Sequence, residues 1–169
     1  VVTINKTAEQ LEACELVPFR AAVGTADLVM TAHITLPLYD DAQQLADGTT
    51  GYLPATMSRK VLTSLLRDDM GFQGVVVTDA LEMDAIQNIA RAVSTSDDFT
   101  VQRADIAQRC IEAGNDILLV PTDLNGTNET PNKVEFYDAY ISMLAQRAEE
   151  NADLMARVNE SVGRILRLK

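Results

Sequence analysis

Apolar residues in this chain occur either in short continuous runs or at intervals of three and four positions. The continuous runs lie in the segments ADLVMTAHI, GFQGVVVTD and NDILLVP. Short apolar runs bounded by polar or turn residues are typical of strands that are buried on both faces. We therefore predict three buried strands, the second of which ends at Val77 and leads directly into Asp79.

Helical spacing occupies the intervals between these runs. Thr7 and Gln10 form the pattern of a capping box that opens a helix, and Pro18 should kink or divide that helix. Ser58 is a good N-cap for the next helix, which Gly71 should end. The acidic, glycine-bearing segment between the first strand and Ser58 is interpreted as a loop. Apolar spacing predicts three further helices, near residues 100–113, 136–144 and 158–166.

The alternation of helices and strands indicates parallel βαβ units. The predicted fold class is therefore α/β, with about three parallel strands and flanking helices. Each strand reaches a polar or turn residue at its carboxyl end, namely His33, Asp79 and the segment Pro121–Asp123. Reacting groups sit at the carboxyl ends of parallel strands in both barrels and open sheets, so an acid at this place is positioned for a ligand.

The composition is that of one ordinary globular domain, residues 1–169. Hydrophobic residues make up 47% of the chain and charged residues 23%, which is enough to build a core. A net charge of -11, with no cluster of Lys and Arg, disfavours nucleic acid and membrane surfaces as partners. Cys14 and Cys110 lack the spacing of metal ligands, and we predict that both are buried free thiols.

Three chemistries use an Asp at the end of a strand, and the neighbours of Asp79 help to separate them. A phosphatase of the haloacid dehalogenase type would have a second Asp two residues later, where this chain has Leu81. A receiver-domain phosphoacceptor would need an acidic pair after an earlier strand, whereas the first strand here ends in His33. A glycosidase nucleophile needs an ionised carboxylate at the floor of a pocket. Spacing alone does not decide between this catalytic role and a structural one. In the structural role, Asp79 caps the following helix through the backbone N–H of Leu81 or Glu82.

Five segments in a fixed order carry a resemblance to a known family. They are ELVPFRAAV, ADLVMTAHI, PATMSRKVLTSLLRDDMGFQGVVVTDALEMDAI, AGNDILLVP and RVNESVGRILRLK, and together they span nearly the whole chain. The chain resembles glycoside hydrolase family 3, in its β-N-acetylglucosaminidase branch. The resemblance implies a (β/α)₈ barrel on which Asp79 is the nucleophile of a retaining mechanism. It also implies that His33 lies near the sugar subsite, that Met83 lines its wall, and that no metal or organic cofactor is needed.

One part of the family pattern is missing from this chain. The general acid/base of the family is a His and Asp pair on a loop with the patterns K-H-F-P-G-H-G-D-T and D-S-H, and the chain contains neither. By the resemblance, that loop would fall just before Val1. We therefore expect the chain to be the C-terminal segment of a TIM barrel without its native N-terminus, and to be inactive alone on natural glycosides.

The resemblance also determines which partners we expect. The ligand would be an oligosaccharide containing N-acetylglucosamine or a peptidoglycan fragment. The uncovered sheet, with Val29, Val76 and Leu118 facing inward, would be covered by the N-terminal part of the barrel or by a second copy of the chain. For location, we favour the cell surface or the secreted space over the cytoplasm. The alternative function is that of a noncatalytic carbohydrate-binding or regulatory remnant.

Overall fold

Short strands and helices alternate through residues 1–120 and 133–168, the parts of the chain that the computed structural model describes. The strands are β1 (Val2–Thr3), β2 (Leu28–Met30), β3 (Ile34–Thr35), β4 (Gln43–Gln44), β5 (Thr50–Gly51) and β6 (Val75–Val77). The α-helices are α1 (Ala8–Ala13), α2 (Leu16–Ala22), α3 (Asp84–Gln87), α4 (Ala90–Val93), α5 (Phe99–Ala113), α6 (Lys133–Glu150) and α7 (Ala152–Leu168). A 3₁₀-helix, Ala55–Met57, and a π-helix, Lys60–Asp69, complete the described part. The α/β class is thus confirmed.

Strand β6 lies between two parallel neighbours, and it is fully buried. On one side it pairs with β2, with Val29 opposite Val76. On its other side the third predicted strand is reduced to a single parallel bridge between Val77 and Ile117. The regular ladder ends there because the N–H of Leu119 bonds to the side-chain hydroxyl of Thr78, at 2.8 Å, instead of to a backbone carbonyl. A second parallel pair joins β1 to β3, which the sequence pattern did not predict.

The prediction that the first strand is buried is wrong for two of its three residues. Leu28 is 43% exposed and Met30 is 52% exposed. Val29 points the other way, and with Val76 it packs in the cluster that contains Phe72. Side chains alternate between the faces of a strand. Val29 and Val76 therefore face the helical layer, and Leu118 packs against α5 and α6. The expectation that these three side chains face inward, away from the helices, is wrong.

The early helices follow the predicted signals. The Thr7 hydroxyl accepts a hydrogen bond from the Gln10 N–H, and the Gln10 side chain accepts one from the Thr7 N–H, so the capping box is confirmed. The predicted division of the helix around Pro18 is also confirmed, because α1 and α2 are separate helices. The helix after Ser58 forms as a π-helix, and Gly71 follows its end with a φ of +80°. A side chain at that φ would be strained, which explains the glycine.

The predicted loop before Ser58 contains ordered structure. Strands β4 and β5 pair antiparallel as a small hairpin. Its turn is closed locally, because the Asp47 carboxylate accepts hydrogen bonds from both the N–H and the hydroxyl of Thr49. Gly48 supplies a φ of +83° between them. The sequence interpretation missed this hairpin because each strand is only two residues long.

Helix α5 forms the centre of the larger core. Its N-cap is Asp98, whose carboxylate accepts a hydrogen bond from the N–H of Val101, and Gly114 ends it with a φ of +132°. Cys110 on this helix is fully buried, whereas Cys14 is exposed, so the prediction of a buried thiol is confirmed only for Cys110. Burial raises the pKa of the Cys110 thiol, which keeps it protonated and unreactive.

The carboxylate of Asp116 fastens the last helix to the sheet. It has no exposed surface, and it forms ion pairs with three arginines, Arg67, Arg157 and Arg164, at 2.6, 3.0 and 3.0 Å. It also accepts hydrogen bonds from the Val76 N–H at 2.9 Å and from the hydroxyl of Ser161 on α7 at 2.8 Å. Burial opposes the ionisation of this carboxyl. The hydrogen bonds and the arginine charges outweigh burial and hold the pKa of Asp116 below its ordinary value.

Candidate active site

Asp79 stands two residues beyond the carboxyl end of β6, where the sheet meets the surface. The strand before it is buried, while Asp79 itself is partly exposed. One of its carboxylate oxygens accepts a hydrogen bond of 2.8 Å from the N–H of Ala80. The helix-capping alternative required a bond from Leu81 or Glu82, but the Leu81 N–H donates to the carbonyl of Leu119 at 3.0 Å. The N–H of Leu81 is therefore not available to bond to Asp79.

A single residue, Ala80, forms hydrogen bonds with all three residues that the sequence analysis selected. Its N–H donates to Asp79, as described above. Its carbonyl oxygen lies 3.0 Å from Nε2 of His33 and accepts the N–H of Met83 at 3.2 Å. The structure thus brings Asp79, His33 and Met83 together around one short turn.

His33 reaches this turn from the neighbouring strand. It follows β2, which pairs with β6, and only 6% of its surface is exposed. Its Nδ1 lies 2.9 Å from the hydroxyl oxygen of Thr56, and its Nε2 faces the Ala80 carbonyl. A carbonyl oxygen can only accept a hydrogen bond, so Nε2 must carry the hydrogen. Both ring nitrogens therefore lie against protein groups, and sugar contact by His33 stays a prediction.

Met83 occupies the outer end of the turn. It is the residue immediately before α3, and its side chain is 45% exposed. Its carbonyl accepts the N–H groups of Ile86 and Gln87, so it begins the helical turn. This exposed thioether is available to contact a ligand, and its role in lining the sugar subsite also stays a prediction.

The turn is held from below by buried contacts. The side chain of Leu81 is 4% exposed and packs with Met57, Ile86 and Ile106 in the larger hydrophobic cluster. The N–H of Thr78 donates to the carbonyl of Ile117 at 3.0 Å. The backbone on both sides of Asp79 is therefore held in place. Such support is needed wherever a side chain must contact a ligand in a defined geometry.

Sequence reasoning missed Thr56 and Asn115, which extend the same network. Thr56 is fully buried, and its carbonyl accepts a hydrogen bond of 2.8 Å from the Asn115 side chain. Asn115 also donates to the carbonyl of Cys110, in the last turn of α5. The available signal was Thr56, a polar residue between Ala55 and Met57, but its partners Asn115 and His33 lie 59 and 23 positions away in sequence.

The third predicted strand end, Pro121–Asp123, lies outside the described residues. Within the ranges that are described, three or more metal-binding side chains nowhere come together in one group. No described helix is long and apolar enough to cross a membrane. The side chains that the sequence analysis selected at this turn are a carboxylate, a buried imidazole and an exposed thioether.

Comparisons with known proteins agree with one another on the family. The model of the glycosyl hydrolase family 3 N-terminal domain matches residues 1–168. β-Hexosaminidase A of Pseudoalteromonas piscicida is 30% identical over 98% of this chain, which covers 26% of that protein. A β-hexosaminidase of Chromobacterium violaceum is 36% identical over 83% of the chain, which covers 31% of that protein.

Solved structures give the same result. A family 3 β-N-acetylglucosaminidase from Paenibacillus sp. str. FPU-7 superposes with a TM-score of 0.71 and 33% identity, over 99% of this chain and 26% of that chain. The chain thus spans roughly a quarter to a third of the length of these relatives. Because the family model matches nearly every residue, the chain belongs to glycosyl hydrolase family 3, through its N-terminal domain.

Proposed function

We propose that this chain is the nucleophile-bearing part of a retaining β-N-acetylhexosaminidase. The observation that carries the proposal is the position of Asp79 at the carboxyl end of the buried central strand, on a turn fixed by hydrogen bonds. Family membership and relatives named β-hexosaminidase support it. In this account residues 1–169 are one domain, the C-terminal segment of a (β/α)₈ barrel.

The proposed reaction has two displacements. A carboxylate oxygen of Asp79 attacks the anomeric carbon of a terminal β-linked N-acetylglucosamine, and the bond to the leaving oxygen breaks. That oxygen takes a proton from a general acid, which the described residues do not supply at this turn. Water then attacks the anomeric carbon and gives one proton to the conjugate base of that acid, and Asp79 leaves as a carboxylate. In this proposal His33 lies near the sugar subsite and Met83 lines its wall.

In this proposal the general acid would come from another segment of a longer protein, the one that carries the acid/base loop of the family. General acid catalysis typically contributes about 10² to 10⁴-fold. The 169-residue chain alone should therefore be inactive on natural glycosides and at most feebly reactive toward activated aryl glycosides. Oligosaccharides that contain N-acetylglucosamine, or fragments of peptidoglycan, are the proposed ligands. A location outside the cytoplasm is also proposed, and one relative, from Arthroderma benhamiae, is described as a secreted glycosyl hydrolase.

Replacing Asp79 tests the proposal in the longest protein that carries this sequence. The Asp79→Asn variant removes the nucleophile and keeps the shape of the side chain. It should lower kcat on an aryl N-acetylglucosaminide by several orders of magnitude while the dissociation constant of N-acetylglucosamine changes little. The control is Asp84→Asn, which neutralises an exposed carboxylate on the same turn and should leave kcat nearly unchanged. Sugar binding without any turnover in the unmodified protein would favour the noncatalytic remnant.

A further inference from the structure

The buried imidazole of His33 contacts the turn that carries Asp79, and the contact crosses from one strand to the next. We propose that His33 is a positioning residue that fixes the orientation of Asp79 through the carbonyl group of Ala80. The inference rests on the proposed function, because it assumes that Asp79 is the nucleophile. It differs from a sugar-binding role because His33 acts here through the protein backbone.

The geometry around Ala80 explains why this contact matters. The Ala80 carbonyl receives hydrogen bonds from His33 and from the N–H of Met83, at 3.0 and 3.2 Å. The N–H of the same residue holds the Asp79 carboxylate at 2.8 Å. A rotation of this residue would therefore move the hydrogen-bond donor of Asp79 at the same time as it breaks the bond to His33. The imidazole thus resists a motion that would turn the attacking oxygen away.

The other side of the imidazole is fixed as well. Thr56, which lies 2.9 Å from Nδ1, has its hydroxyl oxygen also within 3.0 Å of the Ala32 carbonyl and 3.2 Å of the Thr31 hydroxyl. Its own backbone carbonyl is held by Asn115. The ring is therefore attached to a rigid, buried support, which is the condition under which a single hydrogen bond can hold a reacting group in place.

Two substitutions of His33 by amide residues test the roles of its two ring nitrogens separately. In the His33→Gln variant the amide nitrogen can occupy the place of Nε2 and donate to Ala80. In the His33→Asn variant the shorter amide reaches only the place of Nδ1, beside Thr56, so the contact with Ala80 is lost. Thr35→Val is the matched control, because Thr35 is also 6% exposed but its hydroxyl donates to Thr3, away from the turn.

The assay is the rate at which a fluorinated N-acetylglucosaminyl donor with an activated leaving group labels the full-length protein. A misplacement of about 1 Å can cost on the order of 10²-fold in rate, so we expect a loss of that size for His33→Asn. The His33→Gln and Thr35→Val variants should retain most of the rate. The loss should appear in kcat and not in KM, since a sugar contact would change KM. Circular dichroism and thermal melting confirm that each variant is folded.

The outcomes separate the inference from the proposed function. If the unmodified protein is not labelled at Asp79, the proposed function fails. If it is labelled there but the Gln and Asn variants react at equal rates, whether fast or slow, the positioning role is overturned. Nitrogen NMR of the unmodified chain needs no substitution, because His33 is its one histidine. Hydrogen on Nε2, protected from exchange, is expected, and a ring protonated only on Nδ1 would overturn the inference.

Discussion

Removing the charge of Asp116 should destabilise the chain more than any other neutralisation of a single carboxylate. In the Asp116→Asn variant one oxygen becomes an NH₂ group that faces N–H donors, and three guanidinium groups lose the counter-charge of Asp116. Those arginines are only 9, 11 and 17% exposed, so water cannot replace the lost partner fully. Breaking a buried ion pair by removing one partner costs about 3 to 5 kcal/mol.

Thermal unfolding of the full chain measures this cost. For a domain of this size each kcal/mol lowers Tm by about 2 to 4 °C, so we expect a decrease of about 6 to 20 °C. The matched control is Glu160→Gln. Glu160 contacts two of the same arginines, Arg157 and Arg164, but is itself 60% exposed, and exposed pairs contribute only about 0 to 1 kcal/mol. A loss of less than about 1 kcal/mol in the Asp116 variant would refute the reasoning, because a cost that small is typical of an exposed ion pair and not of a buried one.

The effect of Asp116 should also depend on pH. Its pKa is lowered in the folded chain, so its contribution to the free energy of unfolding is complete above the ordinary pKa of about 3.9. The contribution is lost as the pH falls through the lower folded value. The difference in Tm between the unmodified chain and the Asn variant should therefore be constant near neutral pH and shrink in acid. A difference that grows below the ordinary pKa would contradict this assignment.

Three further results are expected from other parts of the chain. Gly74→Ala should destabilise by about 1 to 3 kcal/mol in chemical denaturation, because its Cβ would lie 2.5 Å from the Asp27 carbonyl oxygen, whereas Gly24→Ala, which meets nothing within 4 Å, should cost far less. A thiol reagent should modify Cys14 in the native chain and Cys110 only after unfolding, and equal rates would contradict the described burial. Light scattering of the isolated chain should give the mass of a dimer, because a second copy would cover the exposed edge strand β2, and a stable, dilution-insensitive monomer would count against that proposal.

Local signals in the sequence predicted the local structure well. The Thr7 and Gln10 capping box, the break around Pro18 and the helix end at Gly71 all depend on residues within a few positions of each other. The third strand could not be predicted in detail, because the Thr78 hydroxyl interrupts its ladder from a residue 41 positions away. The sequence pattern alone cannot show which backbone groups will form hydrogen bonds with a distant side chain.

In the candidate site, too, features with a local sequence signal could be predicted and contacts between distant residues could not. The place of Asp79 at a strand end could be predicted, because a buried strand and the residue after it are adjacent in sequence. The link from His33 to Ala80 could not, because it spans 47 positions and depends on how β2 and β6 align. The Asp116 cluster was also missed. Its local signal was a polar stripe on α7, formed by Arg157, Ser161 and Arg164 at helical spacing.

Trapping the covalent intermediate tests the central claim most directly. The longest protein that carries this sequence is incubated with a fluorinated N-acetylglucosaminyl donor, digested, and analysed by peptide mass spectrometry. If Asp79 is the nucleophile, the mass of the sugar appears on the peptide that spans Gly74 to Met83 and fragments to Asp79. The Asp79→Asn variant should remain unlabelled. A sugar attached to any other carboxylate in the active protein would contradict the account.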